Sequence, residues 1–199
     1  VVISNTEDIK EIYVSTIGDD DLNTGSVDSP YATIGKAISN LNESDKTTVY
    51  LGKGTFTSED DANFDIDLNH RVYGGNLQFI GAGTDETFLD GQNTFRFLKI
   101  GLNTNITLKD ITFINFKADN GGTLYSEGFL TVDNCVFKDS YSSGSRGGAI
   151  FSHGENTSEL YVTNSKFISC SVNGHRSSYW EYDGGGAICT DNIRYVCLE

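Results

Sequence analysis

The sequence has no methionine, one proline and one tryptophan among its 199 residues. No run approaches the about eighteen consecutive apolar residues that a membrane-crossing helix needs, so no membrane insertion is expected within this segment. The four cysteines, Cys135, Cys170, Cys189 and Cys197, contain no C-x-x-C pair. That argues against zinc and leaves disulfides or free thiols open. Cations are scarce: 14 Lys and Arg face 28 Asp and Glu, a formal charge of −14. Such a surface repels nucleic-acid phosphates and anionic lipid headgroups, so no nucleic-acid partner is expected. The chain does not begin with Met, and no basic segment precedes an apolar run. A signal peptide is therefore expected to be absent or already removed.

What is abundant is glycine, with 22 residues, and aromatic residues, with twelve Phe and ten Tyr. The length suits one domain, residues 1–199, with a buried core. Glycine recurs in a pattern: "NGGTLYSEG" at 120–128, "RGGAIFSHG" at 146–154 and "GGGAICTDN" at 184–192. Between these lie "ITLKDITF" at 106–113, "LTVDNCVF" at 130–137 and "LYVTNSKF" at 160–167, offset by 24 and 30 residues. "LQFIGAG" at 77 and "TVYLGKG" at 48 read as degenerate copies, and "IRYVCLE" at 193 as a new one. A period of this size marks a solenoid. Apolar residues alternate within each copy, as in Ile106/Leu108, Leu130/Val132 and Leu160/Val162, which specifies short strands.

The expected fold is all-β: a right-handed parallel β-helix whose coils stack in register. Phe113, Phe137 and Phe167 should form an aromatic ladder. Asp110, Asn134 and Asn164 should turn a corner in the left-handed region these residue types tolerate. The paired glycines should turn the next corner, after which Leu124, Ile150 and Ile188 point inward and Ser126, Ser152 and Thr190 form a hydroxyl ladder. No G-x-x-x-x-G-K-[ST] pattern is present, so the glycines are not read as a phosphate loop. Residues 1–47 should form a cap, with a helix at about 30–41 starting from Ser29 as N-cap and Pro30 in the first turn. Its face of Tyr31, Ile34, Ala37, Ile38 and Leu41 would cover the open end of coils 48–199. Because the chain stops inside a new coil, it is expected to be a fragment of a larger chain, and monomeric as such.

These residues carry a resemblance. "IYVSTIGDDDLNTGSVDSPYATIGKAI" at 12–38 resembles the opening segment of extracellular pectin-lyase-like β-helices. With "FIGAGTDETFLDGQ" at 79–92 and the later GGAI coils closed by Phe, the chain is most similar to adhesin-like surface proteins of methanogenic archaea. The GGAI and Phe pattern is also similar to the polymorphic outer-membrane adhesins of chlamydiae, although Phe137 is followed by Ser140 where that pattern has Asn or Asp. The resemblance covers nearly the whole chain. It implies a surface location and little about activity, because the superfamily contains lyases, hydrolases, tailspikes and adhesins.

Candidate chemistry is thin. Asp90, Asp110 and Asp133 read as turn residues, not as a catalytic carboxylate pair. Lys109, Lys138 and Lys166 read as solvent-facing, and His70, His153 and His175 as loop residues. Cys170 and Cys189 fall at ladder positions where a small residue packs. Asp19, Asp20, Asp21 and Asn23 in "GDDDLNTG" form an oxygen-rich loop that could hold calcium, without EF-hand spacing. "SEDDANFDID" at 58–67 is a second acidic loop. The insertion "SVNGHRSSYWEYDGGG" at 171–186 carries Tyr179, Trp180 and Tyr182, aromatic planes suited to a sugar or a protein partner. Sequons at Asn42, Asn105 and Asn156 permit glycosylation outside a cell. The expectation is a non-enzymatic, extracellular, adhesin-like module that attaches at the cell surface to glycans or to other cells. The rivals are a lyase or glycoside hydrolase of acidic polysaccharide, and a structural spacer.

Overall fold

The computed structural model describes residues 9–41, 46–58, 63–68, 76–154, 157–173 and 184–199. Strand β1 (Lys10–Val14) opens the stack and helix α1 (Ile34–Ser39) follows it. The next coil carries β2 (Thr47–Leu51), β3 (Gly54–Phe56) and β4 (Ile66–Asp67); the one after it carries β5 (Asn76–Gly81), β6 (Thr87–Asp90) and β7 (Leu98–Ile100). From here each coil gains a fourth strand: β8 (Asn105–Lys109), β9 (Thr112–Ile114), β10 (Lys117–Ala118) and β11 (Leu124–Ser126). Then come β12 (Phe129–Asp133), β13 (Val136–Lys138), β14 (Tyr141–Ser142) and β15 (Ile150–His153). The last elements are β16 (Glu159–Thr163), β17 (Lys166–Ile168), β18 (Ser171–Val172), β19 (Ile188–Asp191) and β20 (Tyr195–Leu198).

Corresponding strands pair in parallel from coil to coil. The first sheet runs β1-β2-β5-β8-β12-β16-β20, the second β3-β6-β9-β13-β17, the third β10-β14-β18 and the fourth β4-β7-β11-β15-β19. This is the right-handed parallel β-helix expected from the repeat, with the hand that parallel connections within one sheet adopt. The register is the one read from the sequence. Leu130 pairs with Ile106 and Leu160, and Phe137 with Phe113 and Phe167. The Phe rings stack at 4.8 and 4.9 Å with interplanar angles of 13° and 3°.

Two kinds of corner close the coil. Asp110, Asn134 and Asn164 have φ of 58°, 48° and 52°, and Asn134 Nδ2 donates to Asp110 Oδ1 at 2.6 Å. The glycine corner has a steric origin. A Cβ on Gly147 (φ +52°) would sit 2.0 Å from the Ile150 carbonyl oxygen, and one on Gly148 would sit 2.1 Å from that of Gly186. Only glycine lets successive coils approach so closely.

The cap differs from the expectation. The helix begins at Ile34, not Pro30, and its N-cap is Thr33, whose hydroxyl accepts from Lys36 N–H at 3.1 Å. The reason lies in tertiary pairing. Tyr31 N–H donates to Tyr13 O and Ser15 N–H to Tyr31 O, each at 2.9 Å, so residue 31 is held extended along the edge of β1. The loop covers the strand edge, and the short helix packs Ile34, Ala37 and Ile38 over the core. Tyr31 is buried as well, and Leu41 packs against the core, so the expected apolar face survives on a shorter helix. At the other end Val196 and Leu198 occupy the register positions of buried Leu160 and Val162, yet they are 40% and 59% exposed.

Candidate binding face on the fourth sheet

Alternation along the fourth sheet sends Leu98, Leu124 and Ile150 inward, where all three are fully buried. The next residue of each strand therefore points outward. Register places Asp67, Lys99, Tyr125, Phe151 and Cys189 in one ladder on that outer side. Two steps further along the strands, His153 pairs with Asp191, and Glu127 follows Ser126 in the same outward sense.

Aromatic rings and cations interleave here. Tyr125 and Phe151 meet edge to face at 5.5 Å. Arg96 and Lys99 lie over the Tyr125 ring at 5.7 and 5.8 Å, and Arg146 lies over Phe151 at 5.4 Å. These are cation–π distances. His153 stacks against Phe151 at 5.9 Å. So covered, Phe151 is only 3% exposed although it lies outside the core cluster.

The carboxylates of this face are engaged. Arg96 Nη2 pairs with Asp119 Oδ1 at 2.8 Å and also donates to the Asn120 carbonyl, while its Nε reaches the Gly121 carbonyl. The arginine is thus fixed to the glycine corner. Burial pushes the Asp119 carboxyl up, but the Arg96 hydrogen bond and charge outweigh it, and the net shift is downward. Arg146 Nη1 holds Asp191 Oδ2 at 3.1 Å, with His153 Nδ1 3.6 Å from the same oxygen. The Tyr125 hydroxyl donates to Glu127 at 2.8 Å. Burial, then that hydrogen bond, push Tyr125 up to about 12.

Of the residues singled out in the sequence, His153 and Cys189 lie on this face, and His153 ends β15 where a loop was expected. Tyr179, Trp180 and Tyr182 lie outside the described residues, as do His70 and His175. The chain re-enters the described region at Gly184, whose N–H donates to Ser145 O and which bridges to Arg146. The calcium candidates do not converge. Asp19 Oδ1 accepts from Asp21 and Leu22 N–H, Asp20 Oδ1 accepts from Ala32 and Thr33 N–H, and Asn23 Nδ2 donates to Pro30 O. These contacts lower the Asp19 carboxyl, through the Leu22 amide first. Among the described residues no group of three or more His, Cys, Asp or Glu is placed to hold a metal ion. Asp90, read as a turn residue, ends β6, where it pairs with Ile114 and accepts from Gln92 N–H and Asn115 Nδ2. Lys109, read as solvent-facing, pairs with Asp133 at 3.0 Å. The four cysteines are free thiols, and burial pushes Cys135 up to about 12.

Fold and face define a parallel β-helix that displays an ordered aromatic and ionic strip along one sheet. Over residues 16–188 the chain matches the family described as "Protein of unknown function (DUF1565)", and it belongs to that family. No curated protein matches it. Among solved structures it is similar to a rhamnogalacturonan lyase, at 14% identity and a TM-score of 0.42, over 96% of this chain and 62% of the lyase. The chain thus spans less than two thirds of that enzyme's length.

Proposed function

We propose that this chain is a non-enzymatic, extracellular, adhesin-like module that attaches to cell-surface glycans through the outer face of the fourth sheet. One observation carries the reading: cations lie over two neighbouring rings of a rigid ladder, with the nearby carboxylates held in ion pairs and hydrogen bonds. The half-buried Tyr125 ring suits the C–H face of a sugar, and fixed Arg–carboxylate pairs suit its hydroxyls. The chain that follows Tyr179, Trp180 and Tyr182 re-enters the described residues at Gly184, beside Arg146. The resemblance to surface adhesins supports the location.

A polysaccharide lyase is the second reading, because bases and carboxylates do share this face. An engaged carboxylate and a tyrosine held near 12 suit binding better than proton abstraction near neutral pH. The test is a glycan array followed by product analysis. The module should retain a subset of glycans, and Tyr125→Ala, Arg146→Ala and Trp180→Ala should each weaken retention at least about tenfold. Release of unsaturated oligosaccharides, with or without calcium, would establish a lyase instead, and release of saturated reducing ones a glycoside hydrolase. A folded chain that retains no glycan would leave a spacer.

A further inference from the structure

A second surface lies on the first sheet, away from the glycan face. Tyr13, Tyr50 and Ile80 occupy one outward ladder position in successive coils. The two tyrosine rings stack at 4.9 Å, and both hydroxyls donate to Glu11. Opposite this ladder stand Ile17 and Val27 of the capping loop, 92% and 64% exposed. Between them runs a groove of about 660 Å³. That volume lies within the range of ligand sites.

The lining restricts the occupant. The walls are mostly aliphatic. The tyrosines turn a face to each other and give their hydroxyls to Glu11, while Asn23 donates to Pro30 O, so little is left to read sugar hydroxyls. Among the described residues no Lys, Arg or His lines the groove, and Asp28 is its ionisable side chain besides the tyrosines. An anionic ligand is disfavoured there, and so is a second copy of a chain carrying a charge of −14.

We propose that this groove docks an extended segment of a partner protein in which aliphatic side chains alternate with basic ones. The aliphatic groups enter between Ile80 and the Ile17–Val27 wall, and the basic ones, turned outward, lie along the rim within the field of the exposed Asp28 and Glu11. Burial supplies affinity, and charge complementarity selects the partner.

The test uses fluorescently labelled octapeptides and the full 199-residue chain, by fluorescence anisotropy at about 0.15 M salt, where long-range attraction is screened. One probe alternates Leu with Lys, a second Leu with Glu, a third Ser with Lys. Saturable binding of the Leu/Lys probe alone is expected. Ile17→Asp and Val27→Asp should each weaken it by about tenfold or more, and Asp28→Lys by about threefold to tenfold. Tyr125→Ala should leave it unchanged. Ile17 and Val27 are exposed, so their variants should fold, and an unaltered circular dichroism spectrum and melting temperature confirm it. Equal binding of the Ser/Lys probe, no binding of the Leu/Lys probe, or indifference to the groove variants would overturn the proposal. Loss of glycan retention leaves it standing, since the two surfaces share no residue.

Discussion

On the inner side of the fourth sheet, one ladder position holds Ile66, Leu98, Leu124, Ile150 and Ile188 in successive coils. One residue along the same strands, the outer ladder holds Asp67, Lys99, Tyr125, Phe151 and Cys189. Inside, each side chain must match the one stacked above it, because a close-packed interior penalises any change of volume. Outside, the rungs do not pack into the core, and they are free to differ. The scaffold therefore dictates the inner ladder and leaves chemistry to the outer one.

The largest break in this comparison is expected at the corner that both ladders depend on. Gly148→Ala places a Cβ 2.1 Å from the Gly186 oxygen and 2.5 Å from Ser171 N. Urea unfolding should show a loss of more than about 4 kcal/mol, or no soluble protein. Next is the core: Phe137→Ala removes the middle ring of the Phe113–Phe137–Phe167 stack and should cost about 3–5 kcal/mol by the same measurement. On the outer side, Arg146→Ala breaks a half-exposed pair with Asp191 and should change stability by less than about 1 kcal/mol. Its effect should appear in glycan retention. A stability loss as large as that of Phe137→Ala would mean that the outer strip is structural.

A sharper test lies at Ser152, buried on the inner side with no hydrogen-bond partner for its hydroxyl among the described residues. Ser152→Ala should be neutral within about 1 kcal/mol or slightly stabilising. Acid should have the smallest effect. Hydrogen bonds from Asn164 and then Lys109 hold the Asp133 carboxyl below its ordinary value. A depressed folded value contributes stability above the unfolded carboxyl pKa of about 3.9, lost as pH falls through the folded value. The melting temperature should hold from neutral pH to about 5 and decline below about 4. Asp133→Asn should flatten part of that decline.

Much of the fold was legible because a solenoid repeats its instructions. Phe137 predicts Phe113 and Phe167, and Asn134 predicts the φ of Asp110 and Asn164. A second left-handed corner at Asn115, Asp139 and Ser169 passed unread, since its residue types vary from coil to coil. The aromatic and ionic face of the fourth sheet was missed for a related reason. Once Leu124 and Ile150 pointed inward, Tyr125 and Phe151 had to point outward together, and that signal was present. Arg96 and Arg146 gave none. They sit in corners, and only coil stacking carries their guanidinium groups over rings at positions 125 and 151.

The sequence by itself determined the coil: its period, its inward residues, its glycine and Asx corners, and hence the stacking order. These are local requirements of backbone conformation and side-chain alternation, restated in each repeat. The tertiary structure decided where the cap helix begins, because backbone pairing of Tyr31 with β1 outweighs the helix-start signal at Ser29 and Pro30. It also decided which charges meet. Arg96 reaches Asp119 and Arg146 reaches Asp191 across 23 and 45 residues of chain, distances that only the stacking of coils can close.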